Sequence, residues 1–145
     1  MGHFTIVHGY IHAWEDFFEE NAEIIARLPE EDTWPWLTRD LFVVPQRTHS
    51  YSRQIISFGT MYDGVEGEWE AWLTKFERLL RRMYWDDAHV YLKTELWGDY
   101  HYVWEIIIPP EVAEEGLEGP LQDWTFSGGP RSGLRAAYKP EVPHL

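Results

Sequence analysis

The stretch from Glu66 to Trp85 constrains this chain more than any other. Trp69, Trp72, Leu73, Phe76, Leu79, Leu80, Met83 and Tyr84 recur at i, i+3, i+4, i+7, i+10, i+11, i+14 and i+15, the apolar stripe of an amphipathic helix. Glu66, Glu68 and Glu70 stand at its start, and Lys75, Arg78, Arg81 and Arg82 towards its end, as the helix dipole favours. An aromatic stripe of this length has to be buried against another element, and the rest of the chain supplies strands.

Phe4 to Ala13 alternates with period two. Phe4, Ile6, His8, Tyr10 and His12 share one face, and Thr5, Val7, Ile11 and Ala13 the other. From Trp14 to Leu28 the spacing of Trp14, Phe17, Phe18, Ile24, Ile25 and Leu28 predicts a first helix, ended by Pro29. Glu30 to Pro45 reads as an irregular link holding Trp34-Pro35-Trp36, with room for a short helix or strand within 37–44. Tyr51 to Met61 is a second strand, followed by the turn signal Asp63-Gly64. His89 to Trp97 and Tyr100 to Ile108 read as a hairpin around Gly98-Asp99, stopped by Pro109-Pro110. Beyond them Gly116, Gly119, Pro120, Gly128, Gly129 and Pro130 interrupt the chain, leaving only Trp124-Thr125-Phe126 as a short strand. The β-α-β-α-β-β order predicts an α+β two-layer sandwich, with a small, mostly antiparallel sheet and two helices on one face. Residues 1–110 form that domain, and residues 111–145 an arm that packs on it through Leu121, Trp124 and Phe126 or extends from it.

Composition narrows the function. The 145 residues carry a net charge of −13 and no Cys, which removes disulfides, thiolate metal sites and Cys nucleophiles. So acidic a chain is a poor ligand for nucleic acid, because phosphate binding needs Lys and Arg. It suits a cationic partner or simple solubility. MGHFTIVHGYIHAWEDF has neither a basic region nor a long apolar core, so no signal peptide is expected. No run approaches the roughly 18 apolar residues of a membrane helix. A cytoplasmic protein is the expectation, as a monomer or weak homodimer without a cofactor.

Catalytic motifs are lacking. His8 and His12 would be about 13 Å apart on a strand, too far to share one ion, so no metal site is expected. His101 beside Glu105 fits a satisfied polar pair better than an acid–base pair. Ser50, Ser52, Ser57, Ser127 and Ser132 lie in no nucleophile motif. Gly128-Gly129-Pro130-Arg131-Ser132-Gly133 is followed by Leu134 where a phosphate loop needs Lys.

Two surfaces remain. If Trp97 and Tyr100 flank the hairpin turn, Glu95 faces Tyr102, Lys93 faces Trp104 and Tyr91 faces Ile106. That aromatic face, with Tyr91, Glu95, Trp97, Tyr102 and Trp104, would serve an enzyme or a binder of a sugar-like or flat ligand, or it is a second small core under the arm. The other surface is acidic. Residues 15–32 hold Glu15, Asp16, Glu19, Glu20, Glu23, Glu30, Glu31 and Asp32 against one base, Arg27, and Trp34 and Trp36 follow directly. Carboxylates steer a basic partner and rings supply buried area, so Glu19, Glu20, Glu23, Glu30, Glu31, Asp32, Trp34 and Trp36 form the candidate partner-binding set. The competing readings are a solubilising helix face and rings that seal the core.

A small, acidic, Cys-free, Trp-rich α+β chain with such a 15–36 segment resembles, in type, the immunity proteins of bacterial toxin systems. That resemblance implies a cytoplasmic, non-enzymatic inhibitor that covers the working surface of a basic toxin-like protein. It carries over no catalytic residues.

Overall fold

The computed structural model describes residues 4–45 and 53–137. His3, Ser50, the start of the second strand at Tyr51 and Ser52, and the arm beyond 137 lie outside them. Six strands form one antiparallel sheet: β1 (Phe4–Trp14), β2 (Phe42–Val43), β3 (Arg53–Asp63), β4 (Trp85–Thr94), β5 (Asp99–Ile106) and β6 (Trp124–Ser127). Their spatial order is β2-β3-β1-β4-β5-β6, every neighbouring pair antiparallel. Two helices, α1 (Phe18–Ala26) and α2 (Trp69–Leu80), contribute to the core on one side of it, giving an α+β two-layer sandwich. Two shorter helices, α3 (Pro110–Glu115) and α4 (Leu134–Ala137), lie beyond the hairpin.

β1 is central because its alternation suits a strand paired on both edges. Val7, Ile11 and Ala13 are fully buried under the helices, while His8, Tyr10 and His12 face away from them. Gly9 lies on the helix side, where a Cβ would come within 1.9 Å of the His89 carbonyl oxygen and 2.8 Å of the Phe58 ring. A larger residue there would push β1 off β4. Across the core Trp69 stacks on Trp72 at 4.9 Å and Trp72 on Phe76 at 5.2 Å, so the stripe read from the sequence is the floor of the α2 layer.

The expected helix over 66–85 is shorter in the structure. Val65–Glu68 forms a 3-10 turn, α2 stops at Leu80, and β4 begins already at Trp85. Asn21, fully buried on α1, explains the early stop. Its side chain donates to the Tyr84 carbonyl at 3.0 Å and accepts from the Tyr84 N–H at 2.9 Å, which holds that backbone in an extended path. Met83 keeps its place in the core even so.

The hairpin register differs from the expectation. Lys93 pairs with Asp99, Tyr91 with His101, Val90 with Tyr102 and Ala88 with Trp104. The expected partner of Lys93 was Trp104, five residues from the observed Asp99. An odd slip exchanges the faces of one strand relative to the other. The cause is the loop Glu95–Gly98: the Thr94 hydroxyl donates to the Gly98 carbonyl at 2.6 Å and accepts from Trp97 N–H at 2.8 Å. Gly98 supplies the left-handed residue at φ 88°. β6 pairs with β5 through Val103–Ser127 to Ile106–Trp124, adding the start of the arm to the sheet.

Candidate partner-binding surface

The link after α1 runs antiparallel to α2 and is tied to it rung by rung. Arg82 meets Glu30 at 3.4 Å, Arg78 meets Glu31 at 3.0 Å, and Lys75 donates to the Thr33 hydroxyl at 2.8 Å. Leu28 and Leu37, both buried, fasten the two ends of this segment into the core. Lys75, Arg78 and Arg82 of the cationic row are therefore engaged by the link. Burial pulls the Lys75 ammonium below its ordinary pKa, against the opposing pull of Glu31.

At the far end the link presents the two tryptophans. Trp34 is 38% exposed and Trp36 47%, while Pro35 between them is buried. The rings meet edge to face at 5.1 Å, and Trp34 makes a second such contact with Tyr62 at 5.8 Å. Beneath them Trp72 donates its indole N–H to the Tyr62 hydroxyl at 3.0 Å, and Tyr62 donates to the Trp36 carbonyl at 2.6 Å. Burial pushes the Tyr62 phenol up to about 12, so it remains a donor throughout the physiological range. The exposed rings thus stand on a backbone fixed from inside the core.

The acids of the predicted set are distributed along this strip. Glu19, Glu20 and Glu23 are exposed on α1, with Glu23 paired to Arg27 at 2.9 Å. Glu30 and Glu31 are about half exposed despite their arginine partners, and Asp32 is exposed beside Trp34. A binding surface here is a mixed one: Glu30 and Glu31 hold the link in place while presenting part of their carboxylates outward.

The alternative ligand set is not brought together. Tyr102 and Trp104 are fully buried among the core aromatics, with Trp104 donating its indole N–H to Glu77 at 2.9 Å and Tyr102 its hydroxyl to the Pro130 carbonyl at 2.6 Å. Tyr91 stands on the opposite side of the sheet, and Glu95 and Trp97 lie in the loop. The expected aromatic pocket therefore does not form, because the register puts half of its rings into the core. The arm is fastened there too, by Arg131 on Glu77 at 2.6 and 3.0 Å.

What the sequence reading missed lies on the side of the sheet away from α1 and α2. A bulge at Asp86, where Ala13 pairs with Trp85 and His12 with Asp87, turns Asp86 and Asp87 outward together. Asp87 then bonds His12 at 2.8 Å and His89 at 2.9 Å, and His89 meets His101 at 2.9 Å, forming one chain across β1, β4 and β5. Tyr91 stacks on His101 at 4.2 Å and on His8 at 5.1 Å. The period-two alternation of β1 placed His8 and His12 on this face, and the register supplied their partners. Among the described residues no group of three His, Cys, Asp or Glu converges on a metal position. No described helix is long and apolar enough to cross a membrane. No protein-family model, curated protein or solved structure matches the chain.

Proposed function

We propose that this chain is a non-enzymatic protein-binding module, most concretely an immunity-type inhibitor that sequesters a basic toxin in the bacterial cytoplasm. The observation that carries the reading is the exposed Trp34–Trp36 pair, held rigid by the Trp72–Tyr62–Trp36 relay and bordered by Asp32, Glu31 and Glu30. A pre-ordered aromatic anchor loses little side-chain entropy on docking, and neighbouring carboxylates steer a cationic surface onto it. Glu19, Glu20 and Glu23 extend the negative field along the same layer, within a chain of net charge −13. The chemistry of the strip fits this role, because it sets two exposed rings beside half-exposed carboxylates that can meet a basic surface.

Affinity capture tests the proposal. The tagged chain and its Trp36→Ala variant are used as bait in lysate of the source bacterium, and recovered proteins are quantified by mass spectrometry. A basic protein enriched by the parent and lost with the variant, by about thirtyfold in affinity for a hot-spot ring, is the expected result. Equal recovery by both baits, or no basic protein at all, contradicts it.

A further inference from the structure

Of the side chains that neither the core nor the proposed partner site uses, the most ordered are the imidazoles on the open face of the sheet. His12, on β1, and His89, on β4, both bond the carboxylate of Asp87, at 2.8 and 2.9 Å, and His89 meets His101, on β5, at 2.9 Å. Asp87 and His89 keep only 25% and 19% of their side-chain surface in solvent, so water competes poorly for these contacts. The His89 and His101 rings are 5.2 Å apart between centroids and 22° from parallel. So long a ring separation with nitrogens 2.9 Å apart is reached only when the rings meet edge to edge, each nitrogen pointing at the other. One hydrogen fits between them, and two do not.

Proton accounting fixes every tautomer in the chain. An ionised Asp87 only accepts, so His12 donates to it from Nδ1 and His89 from Nε2. A neutral His89 then has a bare Nδ1, and His101 must donate to it from Nε2. One added proton leaves the chain closed, because an imidazolium on either ring still shares a single hydrogen with the neutral one. A proton on both rings sets the Nδ1–H of His89 against the Nε2–H of His101, and the contact must open. We propose that the chain is a proton-operated latch across β1, β4 and β5, closed while His89 and His101 share one hydrogen and opened when both are charged.

The surroundings bear on when the latch opens. On β1 it is flanked by Tyr10, which stacks on His89 at 4.6 Å, and by His8; on β4 by Asp86, Tyr91 and Lys93; on β5 by Asp99 and Glu105. β3 brings ionisable residues only at its ends, Arg53 opposite Trp14 and Tyr62-Asp63 opposite Thr5 and Phe4, and β6 brings none. Desolvation, then the charge of His89 beside it, lowers the pKa of His101, so the opening proton binds at a lower pH than an ordinary imidazole requires. Opening frees the His101 ring to leave its stack on Tyr91, 4.2 Å away. The same protons cancel the charge of the face. Among its described side chains Asp63, Asp86, Asp87, Asp99 and Glu105 stand against Lys93, and charged His8, His12, His89 and His101 balance them. Above the transition the face is latched and negative; below it the face is loosened and near neutral.

An NMR titration of the purified, nitrogen-labelled chain from about pH 8.5 to about pH 4.5 tests the latch, because ring nitrogen shifts report each tautomer directly. At the alkaline end His12 should carry its hydrogen on Nδ1, and His89 and His101 theirs on Nε2. On acidification the His89–His101 pair should titrate in two steps about one pH unit or more apart, the second proton binding at least about tenfold more weakly. The nuclear Overhauser contact between the two rings should vanish with the second step, while far-ultraviolet circular dichroism stays unchanged. His89→Gln removes the facing imidazole, so His101 should then titrate once, at about 6.5 and above its value in the parent. A single midpoint shared by both imidazoles, the other tautomer on either ring, a second step absent from this range, or a ring contact that survives it overturns the inference.

Discussion

Trp104 and Trp36 carry one side chain into opposite situations. Trp104 is fully buried, packs at 5.2 Å on Phe76 and 5.0 Å on Phe126, and satisfies its indole N–H on Glu77. Trp36 keeps nearly half of its surface in solvent. Trp104→Ala should cost roughly 3–5 kcal/mol of folding stability, whereas Trp36→Ala should cost under about 1 kcal/mol, and thermal melts of the two variants distinguish them. A second single-residue expectation concerns His101. Burial first, then the neighbouring charge of His89, lowers its pKa below 6.5. The folded state therefore binds the His101 proton less readily than the unfolded state does. The stability linked to this group is present above about pH 6.5 and is lost as pH falls through the lowered folded value. An NMR titration should place the His101 midpoint below 6.5, and His89→Gln should move it upward; a midpoint at or above 6.5 in the parent would contradict the arrangement.

Among the elements, those fixed by local periodicity were legible and those fixed by long-range contact were not. The β1 alternation and the α2 stripe come from side-chain spacing alone, so their faces were correct. The end of α2 depends on Asn21, 63 residues away from Tyr84, and continued periodicity through Met83 concealed it. The hairpin slipped because Gly98-Asp99 was read as the whole turn, while the Thr94 hydroxyl closes a longer loop. That one loop moved Tyr102 and Trp104 into the core and His101 out of it. The arm gives a prediction at the same scale. Glu77 accepts from Trp104 and pairs with Arg131, so Glu77→Ala leaves two polar groups of the arm contact without their acceptor. A loss of about 1–3 kcal/mol is expected, with faster amide hydrogen exchange at β6; unchanged exchange there would show that Glu77 does not hold the arm.

Seen whole, the molecule has two unlike sides. One bears the helices, the link and the exposed tryptophans with the acids of residues 19–32; the other is an open sheet face that carries the His12–Asp87–His89–His101 chain and, with it, Asp63, Asp86, Lys93, Asp99 and Glu105. The composition made the acidic side legible, since carboxylates and Trp-Pro-Trp are adjacent in sequence. It did not show that Arg78 and Arg82 would pair with Glu31 and Glu30, because 47 residues separate Glu31 from Arg78. Nor did it show the His12–Asp87–His89–His101 chain, whose members meet only when three strands take their register.

The direct measurement of the partner-binding account is the association rate of the captured basic protein, followed by stopped-flow fluorescence at low and high salt. Glu19→Gln, Glu20→Gln and Glu23→Gln are combined in one variant, whose folding should be unchanged because exposed charges contribute little to stability. The parent is expected to associate about tenfold or more faster at low salt than at high salt, and the variant more slowly with a flatter salt dependence. An unchanged rate and an unchanged salt slope in the variant would contradict it.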